Sequence, residues 1–157
     1  MAVTANQLTK RQEGCRVHHP VAASTTIYEG TIAFLTPSGY LDDDTGTAAN
    51  RFGGITVAYV DNGSGSAGDV KAEVYTDGVF ELVGSGFSQA SVGQPIYASD
   101  NYTISTAPSA SSVYVGMCVG YVSSTKVLVD IDPDGTAPAS VVQTKTSAYT
   151  VTTADSG

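Results

Sequence analysis

At 157 residues the chain is long enough for one domain with a core and too short for two ordinary domains plus a linker. Only 14% of residues are charged, 17 are glycine, and the residues that favour helices are scarce beside Val, Thr, Ser and Tyr, which reads as all-β. Fifteen acidic against seven basic residues give a formal charge of −8, so the basic surface that neutralises nucleic-acid phosphates is missing and direct nucleic-acid binding is not expected.

Residues 1–27 show no sustained period and carry Lys10, Arg11 and Arg16, three of the seven basic residues, together with His18 and His19. They read as an extended N-terminal arm, locally basic on an acidic protein and suited to an acidic partner surface. The start lacks the apolar centre of a signal peptide, and no later stretch reaches the ~20 apolar residues of a membrane span, so no membrane partner is expected. From Tyr28 the pattern turns regular. TIAFL (31–35) is a strand, Pro37-Ser38-Gly39 a turn, and Tyr40-Leu41 a short return. Asp42-Asp43-Asp44 neither alternates its oxygens nor ends in Glu as a calcium loop does, so it reads as a solvated acidic loop with no metal. GGITVAYV (53–60) is a strand with Ile55, Val57 and Tyr59 on one face, apolar on both faces and so interior to a sheet. DNGSGSAG (61–68) is a flexible connection; no Lys-Ser or Lys-Thr follows, so it is not a phosphate cradle.

EVYTDGVFEL (73–82) carries the clearest local signal. Asp77-Gly78 between alternating runs predicts a two-residue β-hairpin, with Val70, Ala72 and Val74 on one face and Lys71, Glu73 and Tyr75 on the other. That wet face makes Lys71, Glu73 and Tyr75 the candidates for contact with a neighbouring subunit. Residues 87–90 allow at most one helical turn, and PIYAS with YTIST predicts a hairpin about residues 99–101. VYVGMCVGYV (113–122) is the longest strand signal, with Val113, Val115, Met117, Val119 and Tyr121 on one face. Gly116 and Gly120 on the other allow the bend that closes a barrel. KVLVDID (126–132) alternates Val127, Val129 and Ile131 with polar residues. PDGTAPAS then reads as a linker, and TKTSAYTVTTADSG as the start of a further β-element with no partner in the chain. The expected architecture is a small compact antiparallel β-barrel over residues 28–132, with an N-terminal arm (1–27) and a C-terminal linker and tail (133–157).

Catalytic groups are scarce. His18 and His19 lie in the arm, where a base is poorly held, and neither GxSxG nor HExxH occurs. Cys15 and Cys118 have no CxxC spacing and read as free thiols, while Asp130 and Asp132 read as the acidic wet face of one strand. No enzyme and no cofactor are expected. The sequons at Asn62 and Asn101 read as turn residues.

Four pieces carry a wider likeness: HPVAASTTIYEGTIAFLTPSGYL (19–41), RFGGITVAYVDNGSGSAGDVKAEVYTDGVFEL (51–82), GSGFSQASVGQPIYASDNYTIS (84–105) and VGYVSSTKVLVDID (119–132). In this order they resemble the small capsid decoration proteins, also called cement or head-fibre base proteins, of tailed bacteriophages. The tail is similar to the start of the fibre-like domain that some members carry. The resemblance implies a compact β-barrel that binds the major capsid protein on the outside of an expanded head, with homotrimers favoured, made in the host cytoplasm and residing in the virion. On that footing Lys10, Arg11, Arg16, His18 and His19 are candidates for the capsid contact. A different class stays open: the Tyr and Asp/Asn-rich loops at residues 40–50 and 97–102 would suit a virion-surface glycan- or receptor-binding module.

Overall fold

A computed structural model describes residues 2–9 and 15–138; Lys10, Arg11 and the expected tail strand lie outside them. The protein is all-β. Its strands are β1 (Arg16–Pro20), β2 (Thr25–Ile27), β3 (Ile32–Leu35), β4 (Leu41–Asp42), β5 (Arg51–Thr56), β6 (Val60–Asn62) and β7 (Lys71–Tyr75). After these come β8 (Val79–Gly84), β9 (Pro95–Ala98), β10 (Thr103–Ser105), β11 (Val113–Ser123) and β12 (Lys126–Ile131). One 3-10 turn, Gln89–Ser91, stands where a single helical turn was expected.

Strands β8 to β12 close a barrel in the order β10-β8-β12-β11-β9. Ahead of it in the chain, β1-β7-β5-β3-β4 form an open five-stranded sheet, and β2 pairs with β6. The barrel is antiparallel except for β10 and β8, which run parallel with Thr103 opposite Val83 and Ile104 opposite Gly84. The expected barrel of residues 28–132 is thus two units in one fold: a closed barrel from the later strands and an open sheet laid against it.

The layers follow from alternation. In β3 all four residues are buried, because each face of the open sheet meets apolar side chains. Ile32 and Phe34 join Phe52, Ile55, Phe80, Ile96, Val127 and Val129 in the larger cluster, whereas Ala33 and Leu35 join Val21, Ile27, Leu41, Ala72 and Val74 in the smaller one. The open sheet is therefore a middle layer, which is why its interior strands read as apolar on both faces.

Three expectations are corrected. Asp77-Gly78 does not close a hairpin. β7 already has β1 and β5 on its two edges, and β8 has β12 and β10, so no edge remains for the two to share. The pair is instead a corner that carries the chain from sheet to barrel, with Gly78 at φ +115 and its carbonyl accepting from the Ile131 N–H at 3.1 Å. Next, β5 ends at Thr56 rather than running to Val60. The Thr56 hydroxyl donates to the Tyr28 carbonyl and accepts from the Thr31 N–H at 2.9 Å, and the chain then turns into β6 with Tyr59 exposed against the Tyr28 ring. Finally, β11 does not keep one inward face. A register shift between Tyr114 and Gly116 brings Cys118 inside and leaves Val119 at the surface; after a second shift, between Cys118 and Gly120, Tyr121 stands opposite the buried Val127 and is itself exposed.

Candidate functional site

The expected arm is not separate from the body. Its second half is β1, the outermost strand of the open sheet, followed by β2, and residues 2–9 also lie against the body through backbone bonds such as the Gln7 N–H to the Glu29 carbonyl, 2.7 Å. In the β1–β7 ladder Arg16 stands opposite Tyr75, His18 opposite Glu73 and Pro20 opposite Lys71. Directly opposed residues share a face. The two candidate sets read from distant parts of the sequence therefore meet: Arg16 and His18 lie on one face with Lys71, Glu73 and Tyr75, although Tyr75 is not on a wet surface but half-buried against the larger core cluster. The Arg16 guanidinium sits 3.6 Å from the Glu73 carboxylate and 4.9 Å from the centre of the Tyr75 ring. An ion pair this exposed contributes roughly 0.2–1 kcal/mol, so it orients Arg16 more than it stabilises the sheet. His19 is on the opposite face, opposite the buried Ala72. It is half-buried there, and burial and then the nearby Arg51 hold its imidazole below the ordinary histidine range.

Among the described residues, hydrogen bonding leaves one edge of β1 without a strand partner. The Thr76 N–H donates to the Cys15 carbonyl at 2.9 Å and the Val21 N–H to the Val70 carbonyl at 2.9 Å. In an antiparallel ladder these bonds fix the phase: residues 15, 17, 19 and 21 turn their backbone groups toward β7, and Arg16, His18 and Pro20 turn theirs outward. The two sheet edges approach each other at one end only, where the Ala22 N–H reaches the Leu41 carbonyl at 2.8 Å. Away from that end no described strand covers β1. Among the described residues Lys and Arg are four, and three of them, Arg16, Arg51 and Lys71, lie on neighbouring strands of this sheet. The fourth, Lys126, is paired with Glu81 at 3.2 Å in the barrel. That edge and the basic residues of an acidic molecule coincide.

The other sequence candidates separate from this surface. Asp42 to Asp44 form a loop that hydrogen-bonds its own backbone, with the Asp43 N–H to the Asp42 carboxylate at 2.8 Å and the Gly46 N–H to the Asp44 carboxylate at 2.5 Å. Burial first, then the neighbouring Asp42 charge, pushes the Asp43 carboxyl up to about 6. A raised carboxyl pKa favours the protonated form in the folded state, so stability is full below the ordinary value near 4 and falls as pH rises through about 6. Asp43→Asn should accordingly raise the melting temperature at pH 7 and leave it unchanged at pH 3.5. The gain is about 1 kcal/mol once partial exposure and screening are allowed for. Paired thermal melts at the two pH values check this; equal effects at both would refute the assigned cause.

In the loops considered for sugar binding, Asn50 and Asn101 are buried and committed to backbone. Asn50 donates to the Asp44 carbonyl at 2.8 Å, and Asn101 accepts from the Val3 N–H at 2.9 Å. Cys15 is exposed and Cys118 buried, and both are free thiols. Sequence reasoning missed Gly30 and Asn101 as the groups that receive residues 2–9, because an Asn within Ser-Asp-Asn carries only a turn signal. No protein-family model matches the chain, and no curated protein matches it.

Proposed function

We propose that this chain is a structural virion protein that binds the outer surface of a tailed-phage head and stabilises it, with the major capsid protein as its partner. The proposal extends the likeness of residues 19–41, 51–82, 84–105 and 119–132 to the decoration proteins. The observation that carries it is the coincidence, on β1, of an edge that no described strand covers with Arg16 and His18 on a molecule of formal charge −8. Such an edge accepts an extended segment of another protein by strand addition, in which main-chain bonds supply affinity and flanking side chains set the register. Basic groups beside it favour an acidic segment and oppose the copy-to-copy approach of equally charged edges. Each contact is small, and many copies on one shell, in trimers as the likeness implies, raise the total without further contacts.

Binding to expanded empty heads of the virus that carries this protein tests the reading. The Arg16→Glu/His18→Glu variant should keep its far-UV circular dichroism and co-sediment with the heads about tenfold less well, or worse; each tenfold loss corresponds to 1.4 kcal/mol. Unchanged occupancy by the folded variant, or no binding by the unaltered protein, would remove the proposal.

A further inference from the structure

Residues 2–9 lie on the body in a manner that points to a binding groove. The Asn101 side chain, 1% exposed, faces the Val3 peptide group with both its functions: its Oδ1 accepts from the Val3 N–H at 2.9 Å and its Nδ2 donates to the Val3 carbonyl at 3.3 Å. Its own carbonyl accepts from the Ile32 N–H at 2.8 Å, so the amide is fixed from behind by β3. At the other end of the groove the Gln7 N–H donates to the Glu29 carbonyl at 2.7 Å, the Glu29 N–H to the Asn6 side chain at 3.2 Å, and the Thr9 hydroxyl to the Gly30 carbonyl. Gly30 has φ +73, and a Cβ there would stand 2.0 Å from the Gln7 carbonyl oxygen. Any other residue at position 30 would fill the space that the segment occupies.

The contacts at Val3 and Gln7 read main chain, while Asn6 and Thr9 add one side-chain bond each. Ala2, Thr4, Ala5 and Leu8 are exposed, Leu8 at 93%, so the body makes little use of their side chains. We infer that Asn101, Glu29 and Gly30 form a groove for an extended peptide, and that residues 2–9 of a second copy of this chain occupy it in exchange for the resident segment. Identity of segment and groove in every copy makes the exchange isoenergetic apart from the tether. From Thr9 to Cys15 are six residue steps, which reach at most about 20 Å, so exchange requires copies packed side by side. The groove is independent of the β1 edge and does not rest on the shell-binding role.

Two measurements test the inference. A fluorescent peptide with the sequence of residues 2–9 is titrated onto a variant lacking those residues, whose fold is checked by circular dichroism. Saturable binding is expected, weakened about tenfold or more by Asn101→Ala in the same background. In parallel, full-length chains in heavy- and light-isotope forms carry a photo-crosslinking amino acid at Thr4. As concentration approaches ~1 mM, the level a short tether gives the resident segment, mixed heavy–light crosslinks to residues 99–103 should grow, and Asn101→Ala should suppress them. Absence of peptide binding by the folded variant overturns the inference, as do crosslinks that stay within one chain at ~1 mM. Should the shortened variant fail to fold, the crosslinking decides alone.

Discussion

Phe80→Ala should cost about 3–5 kcal/mol of unfolding free energy, a large part of the roughly 5–15 kcal/mol that holds a domain together. Phe80 is fully buried on β8, and its ring lies 5.5 Å from that of Tyr75 on β7. It therefore sits where the barrel meets the open sheet, and it belongs to the same cluster as Phe34 and Phe52 of the sheet and Val129 of the barrel. A cavity at this junction has walls from two sheets that cannot both relax toward it, which places the cost at the upper end for the residue type. Urea unfolding followed by tyrosine fluorescence reads the effect. A loss below about 1 kcal/mol would show that sheet and barrel are not packed through this residue.

Gly116→Ala is expected to be nearly as damaging for a different reason. Gly116 lies on β11 with Ile131 of β12 on one side and Ile96 of β9 on the other. A Cβ there would stand 2.1 Å from the Asp130 carbonyl oxygen and 3.0 Å from the Ile131 Cα, both backbone atoms of β12. Backbone cannot swing aside as a side chain does, so the methyl group must separate two strands of a closed barrel. Overpacking typically costs 1–3 kcal/mol, and here about 3 kcal/mol or more is expected. Gly39→Ala is the control: Gly39 has φ +85 and nothing within 4 Å of its added Cβ, so only the conformational cost of about 1 kcal/mol applies. Thermal melts of the two variants should differ accordingly. Equal losses would mean that backbone conformation, and not close strand approach, sets the requirement at Gly116.

Much of the fold was legible because β-alternation is local. The runs at residues 31–35, 95–99, 102–106 and 126–132 each contain a strand, and Pro37-Ser38-Gly39 joins β3 to its partner β4. Pairing is not local, and there the reading failed. Asp77-Gly78 has the chemistry of a hairpin turn, but whether flanking strands pair depends on which edges other segments have taken. β1 and β5 had taken those of β7. The faces of β11 failed for a related reason, since the register shift between Tyr114 and Gly116 inverts the alternation beyond it, so that Cys118 points inward and Val119 lies at the surface.

The candidate surface was legible as two lists and not as one site. Arg16 and His18 were noticed for charge, and Lys71, Glu73 and Tyr75 for the wet side of a strand. Only the ladder between β1 and β7 shows that they are neighbours. It also changes their roles. Glu73 and Tyr75 hold the Arg16 side chain, and β1 covers the β7 edge that a neighbouring subunit would otherwise reach. His19, one residue from His18, faces inward because neighbours on a strand point to opposite sides. Its neutral form stabilises the fold above the ordinary histidine pKa, and this contribution is lost as pH falls below it. Fraying of β1 should therefore be detectable by amide exchange at Val17 and His19 near pH 5 before the barrel responds.

The most direct measurement is a cryo-EM map of expanded heads incubated with the protein. Density for the barrel is expected on the outer surface, with β1 against the capsid protein and an added strand along the edge bearing Arg16 and His18. Heads left bare, or a barrel bound through another face with the β1 edge open to solvent, would contradict it.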